Sequence, residues 1–158
     1  MGADRVRRIN LPKHPQVQNS TAMAQSNQAL STITVEISPG ELLDKISILE
    51  IKSARITDDA KLENVRYELT LLRKIWDKSV DTADAPNDLE SELKAVNERL
   101  WEIEDAIRVC EADRNFGPKF VELARSVYTT NDRRAEIKRQ INTRLGSSIV
   151  EEKSYTEY

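Results

Sequence analysis

Between residues 88 and 111 the chain reads DLESELKAVNERLWEIEDAIRVCE, and Leu89, Leu93, Val96, Leu100, Ile103, Ile107 and Cys110 return at alternating steps of four and three. An α-helix puts that spacing on one narrow face, so the segment is a helix with a packing seam. Asn97, Trp101, Glu104 and Arg108 form a second stripe, turned roughly 100° around the helix from the first. The remaining flank, Ala95, Arg99, Glu102 and Ala106, is small or charged and can meet a neighbour or face water. A single helix is marginal in water, so this seam must be shared with others. The expected fold is an all-α antiparallel bundle of about four helices.

The other helices follow from caps and periodicity. Ser38, Pro39, Gly40 and Glu41 read as a helix start, with Ser38 accepting from the Glu41 amide, Pro39 at the first helical position and Glu41 reaching back to the cap amide. The helix from Pro39 to about Ile56 carries Leu42, Ile46, Leu49 and Ile56 on one face and Leu43, Ile48 and Ile51 elsewhere, so it needs cover on more than one side. Thr57, Asp58 and Asp59 restart the chain into a helix to about Val80, with Leu62, Val65, Leu69, Leu72 and Trp76 as its line and Leu71 and Ile75 widening it. DTADAPN is a turn-forming linker in which Asn87 and Glu90 repeat the capping pattern. After Gly117 and Pro118 a last helix runs to about Leu145 on Leu123, Val127, Ile137, Ile141 and Leu145, with Gly146 as its stop. Thr129 to Asp132 offers a break within it, but one continuous or kinked helix is the preferred reading.

One short strand is expected beside the bundle. TITVEI, residues 32–37, alternates Ile33, Val35 and Ile37 with polar residues, and its partner would be the segment 148–151 or the same strand of a second copy. Residues 1–31 are polar and aperiodic and read as a disordered tail, residues 32–146 as the helical domain and residues 147–158 as a C-terminal tail whose last eight residues, from Glu151, are either a solvated end or a flap over the candidate groove described below. Met23 is an alternative start.

Composition removes several function classes. No apolar run approaches the ~20 residues of a membrane span and no secretion signal is visible, so a cytoplasmic location without a transmembrane segment is expected. Cys110 is the single cysteine and His14 the single histidine. That excludes an internal disulfide, a Ser/His/Asp or Cys/His relay and a zinc site of several His and Cys. The net charge of −3 hides a tail of +3, so the rest of the chain carries −6. An acidic body lacks the clustered basic surface that nucleic acid requires, and no nucleic-acid partner is expected.

The polar residues beside the seams are the candidates for function. Asn131, Arg134, Lys138 and Asn142 fall in a band about 80° wide on the last helix, and Arg134 interrupts the aliphatic line between Val127 and Ile141. A guanidinium there needs an anion or a route to water. Glu104, on the matching boundary of the helix 88–111 beside Arg108, is the candidate anion. With the two stripes facing, Asn97, Trp101, Glu104, Arg108, Asn131, Arg134, Lys138 and Asn142 would line one groove for an anionic, sugar-phosphate-like ligand. Arg and Lys would hold charge, Asn would fix orientation and Trp101 would supply a flat wall. The alternative is a buried ion-pair network that fixes helix register, with Trp101 as ordinary core. No cofactor is implied, and a di-iron site is excluded because no Glu-x-x-His pair exists. A magnesium site on Glu102, Glu104 or Asp105 is the weaker option, and no metal is assigned.

ITVEISPGELLDKISILEIKSARI, NERLWEIEDAIRVCE, VYTTNDRRAEIKRQIN and the closing EEKSY together resemble an uncharacterised bacterial domain family over residues 32–158. A second uncharacterised family is similar around N-x-x-x-W-x-x-E-D-x-x-R, here Asn97 to Arg108. The resemblance supplies no activity. It implies a setting among genes for cell-surface glycan assembly, and a family pattern containing Asn97, Trp101, Glu104, Asp105, Arg108, Asn131, Arg134, Lys138 and Asn142. Chorismate mutase, also all-helical and basic in its site, is set aside because ELLDKISILEIKSAR lacks its leading Arg and the spacing of its acids.

The expectation is a non-catalytic accessory or interaction module, a homodimer joined through its first helix, that takes a protein partner or an anionic small molecule. The competing class is a small enzyme acting on a phosphorylated or nucleotide-linked sugar, with Glu104 as acid or base and Arg108, Arg134 and Lys138 as anion holders. Polar groups paired within the chain favour the module. Unpaired Arg134 and Lys138 in an open pocket favour ligand binding or catalysis.

Overall fold

A computed structural model describes residues 33–150 and 152–154, and the unit considered below is the one from Val35 onward. It contains four helices: α1 (Pro39–Arg55), α2 (Asp59–Ser79), α3 (Asn87–Ala112) and α4 (Pro118–Arg144). Among the described residues there is no strand. The expected strand over residues 32–37 begins outside them, as does the end of its candidate partner at Glu151, and the expected disordered tail lies outside them as well.

Local chemistry sets the boundaries. Ser38 accepts from the Glu41 amide at 3.2 Å and Asp58 from the Lys61 amide at 3.0 Å, each satisfying a first-turn N–H. Glu41 does not reach back to the cap, because its carboxylate is drawn to Lys138 of α4 at 2.7 Å. The start of α3 also differs from expectation. Asn87 is the first helical residue and Pro86, with no side-chain cap, takes the cap position. Pro86 is fully buried, so packing fixes this turn in place of a cap. At the other ends, Gly146 has φ of 64° and the Ser147 amide donates to the Asn142 carbonyl at 2.9 Å. This is the left-handed stop that glycine permits. Arg114 plays the same part after α3 with φ of 52°.

The fourth helix is continuous through the possible break. Thr129 Oγ1 donates back to the Arg125 carbonyl at 3.3 Å and Asn131 Nδ2 to the Val127 carbonyl at 3.0 Å, so both side chains are satisfied inside the helix.

The first helix is the one surrounded by the others. It packs against α2, α3 and α4, and α3 packs against α4, whereas the backbone of α2 comes close to α1 alone. That explains its all-round apolar pattern: Leu42, Leu43, Ile46, Leu49 and Ile51 are all buried. The main core joins Leu42, Leu43 and Ile46 to Trp76, Leu89, Leu93, Ile137 and Ile141. No large apolar side chain of α1 is among the exposed ones.

A charged cluster ties three helices at the edge of this core. Arg73 of α2 pairs with Glu50 of α1 and, at 2.7 Å, with Glu90 of α3, and Lys94 meets Glu50 at 3.1 Å. Burial pushes the Glu50 carboxyl up, but the hydrogen bonds and charges of Arg73 and Lys94 outweigh it and leave the pKa below its ordinary value. A lowered folded-state pKa stabilises the fold above the unfolded value, and that contribution is lost as pH falls through the folded value. Glu50→Gln is therefore expected to lower stability at neutral pH and to flatten its fall as pH drops through and below the ordinary glutamate range, as read by thermal melts on the acid side. An unchanged acid limb would remove Glu50 from the account.

Candidate functional site

The interface between α1 and α4 begins with a close approach. Gly40 sits so near α4 that a Cβ there would lie 2.6 Å from the Lys138 carbonyl oxygen, which belongs to the backbone and cannot swing away. In that gap the Gly40 amide donates to Asn142 Oδ1 at 2.7 Å. Asn142 thus caps a first-turn N–H of α1 from 102 residues away in sequence. Lys138, its side chain 10% exposed, donates to Glu41 one turn above.

The next layer inward is a buried carboxylate. Asp44, with its side chain 3% exposed, accepts from Arg134 Nε at Oδ1 (2.7 Å) and from Arg134 Nη2 at Oδ2, a bidentate pair. Asn97 Nδ2 donates to the same Oδ1 at 2.9 Å and to Ser47 Oγ at 2.8 Å, while Ser47 Oγ donates to the Asp44 carbonyl at 2.8 Å. Arg134 Nη1 also reaches Asn131 Oδ1 at 3.4 Å. Three helices are therefore joined through one anion. Both of its oxygens accept from fixed donors, Oδ1 from Arg134 Nε and Asn97 Nδ2 and Oδ2 from Arg134 Nη2.

The residues expected to share a groove divide into two groups. Asn97, Arg134, Lys138 and Asn142 bond to α1, and Asn131 joins them through Arg134. Trp101 is only half-buried and stands against α1 farther along, with the Arg55 guanidinium 5.7 Å from its ring centroid. Glu104 and Arg108 are exposed and pair with each other at 3.1 Å, a surface i,i+4 contact of small value. Glu104 is thus not the anion that holds Arg134; Asp44 is. Among the described residues no three or more His, Cys, Asp or Glu are grouped as a metal site would need, and Glu102, Glu104 and Asp105 do not form such a group. Between α3 and α4 a shallow depression of about 360 Å³ is lined by Glu92, Ala95, Val96, Arg99, Thr129, Thr130 and Arg133, a different set from the expected one. Lys153 lies against α4, donating to the Asn131 carbonyl at 3.0 Å and meeting Asp132 at 3.3 Å.

Four residues of this arrangement, Gly40, Glu41, Asp44 and Ser47, come from α1 and were absent from the candidates. The signal for Asp44 was present. It is an acid within a helix whose other positions, Leu42, Leu43, Ile46, Leu49 and Ile51, demand cover on every side, and such an acid needs a buried cation.

Fold and interior together define, among the described residues, a unit of four helices held to one another by inner polar residues. A family model matches residues 33–158, and the chain belongs to that family, DUF6165, a family of unknown function. No curated protein and no solved structure matches the chain.

Breaking a buried pair by removing one partner costs about 3–5 kcal/mol, whereas replacing both by apolar side chains is often neutral or stabilising. Arg134→Met alone is accordingly expected to destabilise by that amount, and Asp44→Leu with Arg134→Met to recover most of it, measured by urea unfolding. Equal losses in the single and double variants would show that the pair is not the tie described.

Proposed function

We propose that this chain is a non-catalytic helical interaction module rather than an enzyme. The observation that carries this reading is the inward pairing of the two cations best suited to a ligand: Arg134 is bidentate on Asp44 and Lys138 is bonded to Glu41. An incoming phosphate would have to break those pairs and leave Asp44 buried without its counter-ion, a cost comparable to what the new contacts would return. Asp44 already holds Arg134 and Asn97, and Glu104 stands on the surface beside Arg108. The accessory role expected from the sequence is retained, with surfaces rather than a cleft as the working parts.

The setting that the resemblance implies supplies the test. In a thermal-shift screen of inorganic phosphate, sugar phosphates and nucleotide-linked sugars, the expected outcome is no shift that depends on Arg134. A compound of this class that raises the melting temperature by several degrees in the wild type, with the rise lost in the folded Asp44→Leu/Arg134→Met variant, would overturn the reading in favour of an anion-binding groove.

A further inference from the structure

One helix carries a second apolar face that nothing among the described residues covers. Leu62, Val65, Leu69, Leu72 and Trp76 of α2 turn toward α1 and the core, leaving them buried or half-buried. On the opposite side Tyr67, Leu71 and Ile75, spaced four residues apart, are 68%, 41% and 50% exposed. They form a continuous i, i+4, i+8 ridge of the kind that packs into the matching groove of another helix. Among the described residues no other helix approaches that side, since the backbone of α2 comes close to α1 alone.

The charges around the ridge say what fits it. Exposed Glu63 and Asn64 lie at its N-terminal end and exposed Lys74 and Lys78 at its C-terminal end. Glu63, Lys74 and Lys78 have no ion-pair partner among the described residues. A parallel copy of the same helix would set lysine against lysine. Turned end for end about a two-fold axis through Leu71, the same face is its own complement. Leu71 meets Leu71, Tyr67 meets Ile75, and Glu63, eight residues before the axis, comes level with Lys78, seven after it. Opposed helix dipoles add to the match. A partner of another sequence would have to reproduce that order of acid, apolar ridge and base, whereas a second copy has it already.

We infer that α2 is the face through which two copies of this chain associate, antiparallel about Leu71. The contact is isologous, so each residue of the face is used twice. A ridge of three apolar residues with its rim falls short of the ~800 Å² per partner of a standard interface. The association is therefore expected to be weak and concentration-dependent. This inference rests on the reading of the chain as an interaction module and names its first partner. Its test reads mass rather than ligand binding, so the two can fail separately.

The experiment is sedimentation velocity on the full chain from low to high micromolar concentration, together with cysteine cross-linking in a Cys110→Ala background. The expected result is a weight-average mass that rises toward twice the monomer, and stays at the monomer for Leu71→Asp with unchanged helical circular dichroism. Under mild oxidation Leu71→Cys should form a covalent dimer, because the axis sets that position against itself, while the exposed control Val121→Cys should not. A monomer at every concentration would overturn the inference. So would a dimer that survives Leu71→Asp, or equal cross-linking at positions 71 and 121.

Discussion

The structure depends on how closely α1 can lie against α4. At Gly40 the two backbones come within the space a single methyl group would need, and that proximity lets Asn142 cap an amide of the neighbouring helix. Once the ends are set, Lys138 falls opposite Glu41 and Arg134 opposite Asp44 along the same pair of helices. Register is thereby fixed by direction-dependent bonds, where aliphatic seams alone would tolerate sliding by a turn. Asn97 extends the constraint to α3. Buried ion pairs contribute little net stability, because desolvation offsets most of their attraction. What they supply here is one arrangement of helices out of several that the apolar residues would accept.

That priority accounts for the division of polar residues across the molecule. Residues whose side chains reach α1 are consumed by the interior, and those farther along α3, such as Glu104 and Arg108, are left to solvent. Trp101 marks the boundary, with its ring half-covered and Arg55 from the end of α1 against it. The outer surface of α2 belongs to a different economy. It takes no part in the register bonds, and its apolar ridge is open.

Much of this was legible in the chain because it is local. The seam from Leu89 to Ile103 and the caps at Ser38 and Asp58 placed helix boundaries to within about a residue, since capping and periodicity act over one or two turns. The stripe of Asn131, Arg134, Lys138 and Asn142 was equally visible as a set. Its partner was not, because periodicity gives the angle of a side chain around its own helix and says nothing about which helix lies opposite. Arg134 was matched to Glu104 on the strongest helix, whereas the anion is Asp44 on the shorter α1. Glu41 was read as half of a capping box for the same reason: a local partner was in view and the distant Lys138 was not. The central place of α1 was written in its all-round apolar residues, but a pattern of that kind specifies burial without naming the neighbours.

If α1 is the element on which the others are assembled, it must be the last to open. Native-state hydrogen exchange followed residue by residue tests this directly. The account predicts that the inner amides of α1, residues 43–51, exchange through global unfolding only, as slowly as the slowest amides of α3 and α4, while those of α2 exchange sooner. Exchange of α1 through a partial opening that leaves the α3–α4 pair protected would contradict it.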